Sequence, residues 1–231
     1  MDLLGSGITH AFWLLITGDS EVMRITLLSL WVSSLAVGIS ILSGIPIGAL
    51  LALSDFPGRR LLVSLVNTGM GLPPVVVGLF VSIMLWRSGP LGFLELLFSP
   101  SAMIIAQVII ALPIVTGLTI AALQQLNPKL RLQVLALGAS RLQLLWLLLR
   151  EARLPLLAAI MAAFGGVISE VGAVMMVGGN IKGQTRVLTT AIVLESRMGH
   201  FDLAIALAVL LLFLTFMVNW VLTLIQQQHT S

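Results

Sequence analysis

One carboxylate, Glu170, lies inside an apolar run, in the stretch GGVISEVGAVMMVGGNIKG over residues 165–183. A carboxylate at membrane depth is costly and marks either a conduction path or a structural polar contact. As a structural group, Glu170 has Asn67, Gln107, Ser169 or a backbone group freed by a helix break as partners. The second chemical feature is basic. Residues 135–155 and the few before them hold Lys129, Arg131, Arg141, Arg150 and Arg153. That segment is apolar enough to favour a membrane and too basic to cross one.

Other chemistries are missing. No GxxxxGK[ST] motif appears, so the chain should not bind and hydrolyse nucleotide by itself. His10, His200 and His229 are far apart in sequence, which argues against a histidine metal site. No HExxH, no GxSxG and no paired intramembrane carboxylates occur. Cysteine is absent, which excludes disulfides, thiolate ligands and cysteine nucleophiles.

The elements that must position these residues are membrane helices. The 231 residues are 58% hydrophobic and 9% charged, and a soluble domain would carry far more charge. Mean hydropathy is +1.12. Apolar runs approach or exceed the roughly 20 residues needed to span a bilayer as a helix. They lack the period-two alternation of a β-barrel strand. The net charge of +3 reflects loop Lys and Arg residues and is read as topology, not as a nucleic-acid surface.

Five spans are predicted, at 25–53, 61–86, 102–123, 156–178 and 203–225. The first is long enough, at about 43 Å, that it must tilt, bend or protrude. Pro46, between Gly44 and Gly48, offers a place to bend, and the two glycines offer close helix packing. The second contains NTGMGLPPVVVG, residues 67–78, whose Asn67, Pro73 and Pro74 suggest a span that faces the protein interior. Residues 91–98 are expected as a short interfacial helix, and 179–202 as a polar external loop. Residues 11–19 are too short to span and read as an interfacial or packed helix.

Seven Lys and Arg residues fall in one set of loops and five (Arg24, Arg87, Lys182, Arg186 and Arg197) in the other. The positive-inside rule then places the N-terminus outside and the C-terminus in the cytoplasm. Residues 1–20 form an extracytoplasmic segment, and 21–224 a single transmembrane domain.

Asn127 and Pro128 make a helix start, as cap and first-turn residue. That helix would present Leu130, Val134 and Leu137 along one side. Gly138 would end or bend it, Ser140 would cap a second helix, and 141–154 would continue it. By physics alone this is a membrane-surface helix or a docking element for a soluble partner.

LGAS at residues 137–140, with Pro155 seventeen residues after Gly138, resembles the cytoplasmic EAA loop of ABC importer permeases. The Glu-Ala-Ala positions themselves read Leu132, Gln133 and Val134. The stretches GIPIGALLAL, GLPPVVVGL and ISEVGAVMMVGGNIKG extend the resemblance to tungstate-type permeases among the oxyanion importers.

That resemblance implies an all-α type I ABC importer fold. It implies a homodimer working with two cytoplasmic ATPases, which bind the ATP and Mg, and an extracytoplasmic binding protein. The chain itself would be non-catalytic and hold no cofactor, in the cytoplasmic membrane of a bacterium or archaeon. Leu137, Gly138, Ala139, Ser140 and Arg141 would couple to the ATPase. Asn67, Pro73, Pro74, Ser169, Glu170 and Asn180 would form a path or gate that holds the anion weakly. Alternatives are a molybdate or sulfate permease, an ion-coupled carrier centred on Glu170, and a scaffold whose basic loop binds anionic lipid.

Overall fold

The computed structural model of the chain describes residues 19–227, together with Thr9 and Trp13. Most of the N-terminal helix expected over 11–19 therefore lies outside the described residues. Among the described residues there are ten α-helices and no strand. Three helices are long and apolar enough to cross a membrane, and five spans result if each of two bent helix pairs counts as one.

Helix α1 (Ser20–Leu53) starts where the Asp19 carboxylate accepts from the amides of Glu21 and Val22, at 3.0 and 2.9 Å. Its 34 residues make about 51 Å of helix, unbroken at Pro46. The excess length protrudes or tilts; it is not absorbed by a break. At the other end Arg59 Nε donates to the Leu51 carbonyl at 2.6 Å, satisfying one of the terminal acceptors.

The second predicted span is two helices, α2 (Arg59–Met70) and α3 (Pro74–Leu85), bent by 103°. Pro73 and Pro74 have no amide hydrogen, and the residue before a proline is driven to extended backbone. Residues 71–73 therefore turn the chain nearly at right angles instead of kinking it. The interfacial helix expected over 91–98 reduces to one 3₁₀ turn, Gly92–Leu94. Glu95 and Phe98 adopt positive φ, and the Phe98 amide bonds the Val177 carbonyl at 2.8 Å, which pins this loop to the core.

Helix α4 (Pro100–Gln124) runs alongside α1 in the same direction, capped by Ser99 and started by Pro100. The following α5 (Pro128–Ala136) and α6 (Arg141–Glu151) are surface helices, of which α6 buries Leu144 and Leu148. Helix α6 does not continue through residue 154 as expected; it bends by 68° at Ala152 into α7 (Arg153–Ile168). The fourth predicted span breaks again after Ile168 and resumes as the seven-residue α8 (Gly172–Gly178). The external loop expected over 179–202 contains α9 (Leu188–Met198). Helix α10 (Phe201–Gln227) closes the bundle and leaves Leu212, Phe213, Phe216 and Trp220 exposed, as a lipid-facing helix would.

Helices α1 and α4 form a parallel spine, with Val32 near Met103, Gly44 beside Val115 and Ala49 near Ala122. Their faces contribute to a core with α3 and α8 around Val32, Met103 and Val174, and to a second with α7 around Val37, Val115 and Val167. Closeness depends on small residues. A Cβ on Gly48 would meet Thr119 Cβ at 2.7 Å and the Thr116 carbonyl oxygen at 2.8 Å, and one on Gly44 would meet Val115 and Thr116 at 3.1 Å. Gly48→Ala is expected to destabilise by about 1–3 kcal/mol through overpacking. Gly38→Ala, where nothing lies within 4 Å, should be neutral or better. Thermal melting of the detergent-solubilised protein compares the two; equal melting of both variants would sink the close-approach account.

Candidate functional site

Two assemblies collect the residues singled out in the sequence. The first is the elbow between α5 and α6. Asn127 caps α5 by accepting from the Lys129 amide at 2.9 Å. At the end of α5 the Gly138 amide bonds the Leu135 carbonyl at 3.0 Å and the Ala139 amide bonds the Val134 carbonyl at 3.3 Å. This bond pair is a Schellman motif, and it needs a left-handed residue at Gly138, whose φ is +81°. Ser140 then opens α6 with a reciprocal capping box. Its Oγ accepts from the Gln143 amide at 3.3 Å, and Gln143 Oε1 accepts from the Ser140 amide at 2.8 Å. The LGAS stretch is thus a C-cap joined directly to an N-cap, with Arg141 as the first residue of α6.

The elbow is anchored on one side and bare on the other. Leu144, Leu148, Ala152 and Leu156 recur every four residues and bury against Ala49, Ala122 and Leu123 at the far ends of α1 and α4. Leu130 and Val134 of α5 pack on the same cluster. Leu137 is 87% exposed, Leu142 75% and Leu132 68%, so Leu137 leaves the face it was expected to share with Leu130 and Val134. The Arg150 guanidinium lies 5.2 Å over the exposed Trp146 ring.

The second assembly forms where two broken helices meet. Glu170 Oε1 accepts from the Ala173 amide at 2.9 Å, one of the donors that the break at 169–171 frees at the start of α8. The Glu170 carbonyl accepts from Thr189 Oγ1 at 2.9 Å. Of the partners expected for Glu170, the freed backbone group is the one its carboxylate takes. Pro73 and Pro74 start α3 beside it. A Cβ on Gly172 would meet Val75 Cγ2 at 2.7 Å, and one on Gly78 would meet the Ala173 Cα at 2.7 Å. The first turns of α3 and α8 therefore touch backbone to backbone.

Behind Glu170 lies a polar chamber of about 10 Å³, lined in part by Ser29, Ser33, Gln107, Glu170 and Thr189. It has room for one water-sized group. Gln107 is 3% exposed; its Nε2 donates to the Val167 carbonyl at 3.0 Å, and its Oε1 has no protein partner. Ser29 Oγ donates to the Ile25 carbonyl and accepts from the Leu188 amide, at 2.8 and 2.9 Å.

Ser169, Glu170, Pro73 and Pro74 are thus brought together. Ser169 is exposed, and its hydroxyl donates back to the Gly165 carbonyl at 2.7 Å. Asn180 sits beyond the opposite end of α8, about 10 Å along its axis. There it has φ +52°, and its Nδ2 donates to the Thr190 carbonyl at 3.4 Å. Asn67 is exposed on α2. Ser29, Ser33 and Thr189 were missed in the sequence. The signal was the spacing of Ser29, Ser33, Ser40, Gly44 and Gly48, small residues repeating along the face of α1 that meets α4.

A helical membrane protein with a capped, exposed elbow at one end and broken helices in its interior is a transporter subunit in form. The chain belongs to the family described as binding-protein-dependent transport system inner membrane component, whose model matches residues 44–229. It is 41% identical to the tungstate uptake system permease protein TupB of Peptoclostridium acidaminophilum, over 99% of this chain and all of that one. It is 45% identical to a probable anion ABC transporter permease protein of Haloferax volcanii, over 86% and 88% of the two chains. Among solved structures, the inward-facing MetNI methionine ABC transporter superposes with a TM-score of 0.74, at 20% identity over 94% of this chain and 96% of that one. At that identity the likeness speaks for the fold.

The geometry separates two roles for Glu170. If its work is to cap α8, Glu170→Gln keeps an acceptor and should retain stability and uptake. Glu170→Ala loses the cap and should cost about 1 kcal/mol. Paired melting and uptake assays check this. A Gln variant as defective as the Ala variant would show that the charge itself is needed.

Proposed function

We propose that this chain is the membrane-spanning subunit of an ATP-driven importer for an oxyanion, with tungstate as the substrate. The observation that carries this reading is the full-length likeness to tungstate uptake permeases. A second one, from Campylobacter jejuni, is 36% identical over 96% of the chain. Sulfate and molybdenum transport permeases are more distant, at 29% and 32% identity. Two copies of the chain work with two cytoplasmic ATPases and an extracytoplasmic binding protein. The ATPases hold ATP and Mg, and this subunit is not itself an enzyme.

The elbow suits the ATPase dock. Its two caps satisfy the backbone internally, which leaves the side chains of Leu137, Ala139, Arg141 and Leu142 for a partner. The elbow end then faces the cytoplasm, together with the C-terminus, and the start of α1 faces outside. ATP binding draws the ATPases together and moves the elbow. The spans open outward, accept the anion, and reset after hydrolysis. The region where α3 and α8 meet, with Asn67, Pro73, Pro74, Ser169, Glu170 and Asn180 on and around it, is the path or gate. No Lys or Arg lines the chamber there, so a divalent anion is not trapped. The Glu170 carboxylate is engaged as a backbone cap, which removes the feature that favoured an ion-coupled carrier.

Two measurements test this. Tungstate uptake by the assembled complex should be blocked by excess tungstate and little affected by sulfate; strong sulfate competition would reassign the substrate. For the dock, Gly138→Asn keeps access to left-handed backbone and should retain coupling between binding protein and ATP hydrolysis. Gly138→Val strains the elbow and should lose that coupling while the subunit still inserts. Normal coupling in the Val variant would remove the elbow from the mechanism.

A further inference from the structure

Positive charge on the extracytoplasmic side runs against the positive-inside rule, so basic residues retained there call for a reason. Five Lys and Arg residues belong to the loops at the α1-start end, and three of them converge. Arg24, Lys182 and Arg186 line one recess of about 420 Å³, with Ser20, Glu21 and Gln184. They come from two separate elements, the first turns of α1 and the loop after α8. Glu21 is the one acidic residue in the lining. Its carboxylate lies 2.7 Å from Lys182 Nζ and 3.4 Å from Arg186 Nη1. Arg24 is exposed and forms no ion pair among the described residues, and Arg186 Nε is buried without a partner. Within this lining three cations face one carboxylate, a formal surplus of two; the adjoining recess, which shares Glu21, Lys182 and Arg186, adds Asp19 and Glu195.

The recess is stacked on the chamber behind Glu170. Along α1, Ser20, Glu21, Arg24 and Leu28 line the recess, and Ser29 and Ser33 line the chamber. Along the second strand of chain, Lys182, Gln184 and Arg186 line the recess, and Val187 and Thr189 line the chamber. Arg24 and Ser29 are five residues apart, about 7.5 Å along the helix. The same two elements thus carry cations first and uncharged hydroxyls next.

We propose that this recess is a transient holding site for the divalent tetrahedral oxyanion as it leaves the binding protein, with Arg24, Lys182 and Arg186 as its ligands. The proposal rests on the oxyanion reading above. Glu21 is the device that keeps the site weak: its carboxylate occupies Lys182 and Arg186 and competes with the anion for them. A surplus of like charge in a recess raises the local concentration of the opposite ion and shortens its search for the path. Beyond it no cation follows, so the anion is not retained; the chamber there holds only a water-sized group in this state and must widen to admit it.

The test uses the complete complex of permease, ATPase and binding protein in liposomes, with tungstate as probe. Two quantities are read: ATP hydrolysis stimulated by tungstate-loaded binding protein, and tungstate transported per ATP. In Arg24→Gln/Lys182→Gln, stimulated hydrolysis should persist while transport per ATP falls about tenfold, the low end of electrostatic focusing. Lys182→Gln alone, on an exposed side chain, should give a smaller loss and carries the test if the double variant fails to assemble. Glu21→Gln should tighten tungstate binding to the complex at low salt. An unchanged transport ratio overturns the proposal. So does a parallel loss of stimulated hydrolysis and transport, which would make the recess a dock for acidic residues of the binding protein. Wild-type complex that takes up neither tungstate, molybdate nor sulfate ends the oxyanion reading and this proposal together. Wild-type uptake with unaltered variants ends this proposal alone.

Discussion

Backbone-to-backbone approach of α1 and α4 is the constraint on which the other contacts depend. In lipid there is little hydrophobic drive between helices, and association rests on packing and polar contacts. Gly48 meets Thr116 and Thr119 at distances that leave no space for a methyl group, and Gly44 meets Val115 and Thr116 at distances that leave only a tight one. Ser29, Ser33 and Ser40 continue the same face, all buried. Because these two helices lock along most of their length, each can serve as a wall for the shorter elements. Helices α3 and α8 pack on one flank, α7 and α10 on another, and α6 across the far end.

The interior breaks follow from a second constraint. Backbone groups at membrane depth need partners, and irregular chain survives there only when protein or a wet cavity supplies them. The break before α8 is supplied from within. Glu170 accepts from the Ala173 amide, and Thr189 donates to the Glu170 carbonyl. The break before α3 avoids two amides altogether through Pro73 and Pro74. Gly78 and Gly172 then allow the two broken helices to touch. An ionisable residue at this depth is tolerated because its side chain performs a hydrogen-bonding task that an apolar one cannot.

The sequence was most legible where the signal was local. Asn127, Pro128, Gly138 and Ser140 each act through their own backbone, and each takes the capping role its type favours. The long apolar runs of α1, α4 and α10 were equally plain. The right angle at residues 71–73 was half visible, since paired prolines announce a break and not its angle. The break at 169–171 was hidden, because Ser169, Glu170 and Val171 include neither Gly nor Pro and the run is apolar on both sides. Helix α9 was hidden in the reverse sense: its polar residues, such as Glu195 and Arg197, follow a Gly-containing loop and read as more of it. The chamber needed the tertiary structure, since Ser29, Gln107, Glu170 and Thr189 come from four separate elements.

Connectivity then bears on how the two ends communicate. The elbow cluster at Ala49 and the recess at Glu21 are 28 residues apart on α1, about 42 Å. The locked spine leaves little room for that helix to flex against α4. The chain offers a shorter route. Helix α6 bends at Ala152 into α7, and the sixteen residues of α7 end one residue before Ser169 and two before Glu170. Glu170 holds the start of α8, and α8 touches α3 at Gly78. One helix, α7, thus connects the elbow directly to the junction of the broken helices, and on the proposed reading it would carry a displacement of the elbow there. The helix interruptions before α3 and α8 lie at the receiving end of that segment. The proposed importer, driven from a cytoplasmic dock, would need rigidity between dock and gate and compliance at the gate, and α7 with its two flanking breaks is suited to both.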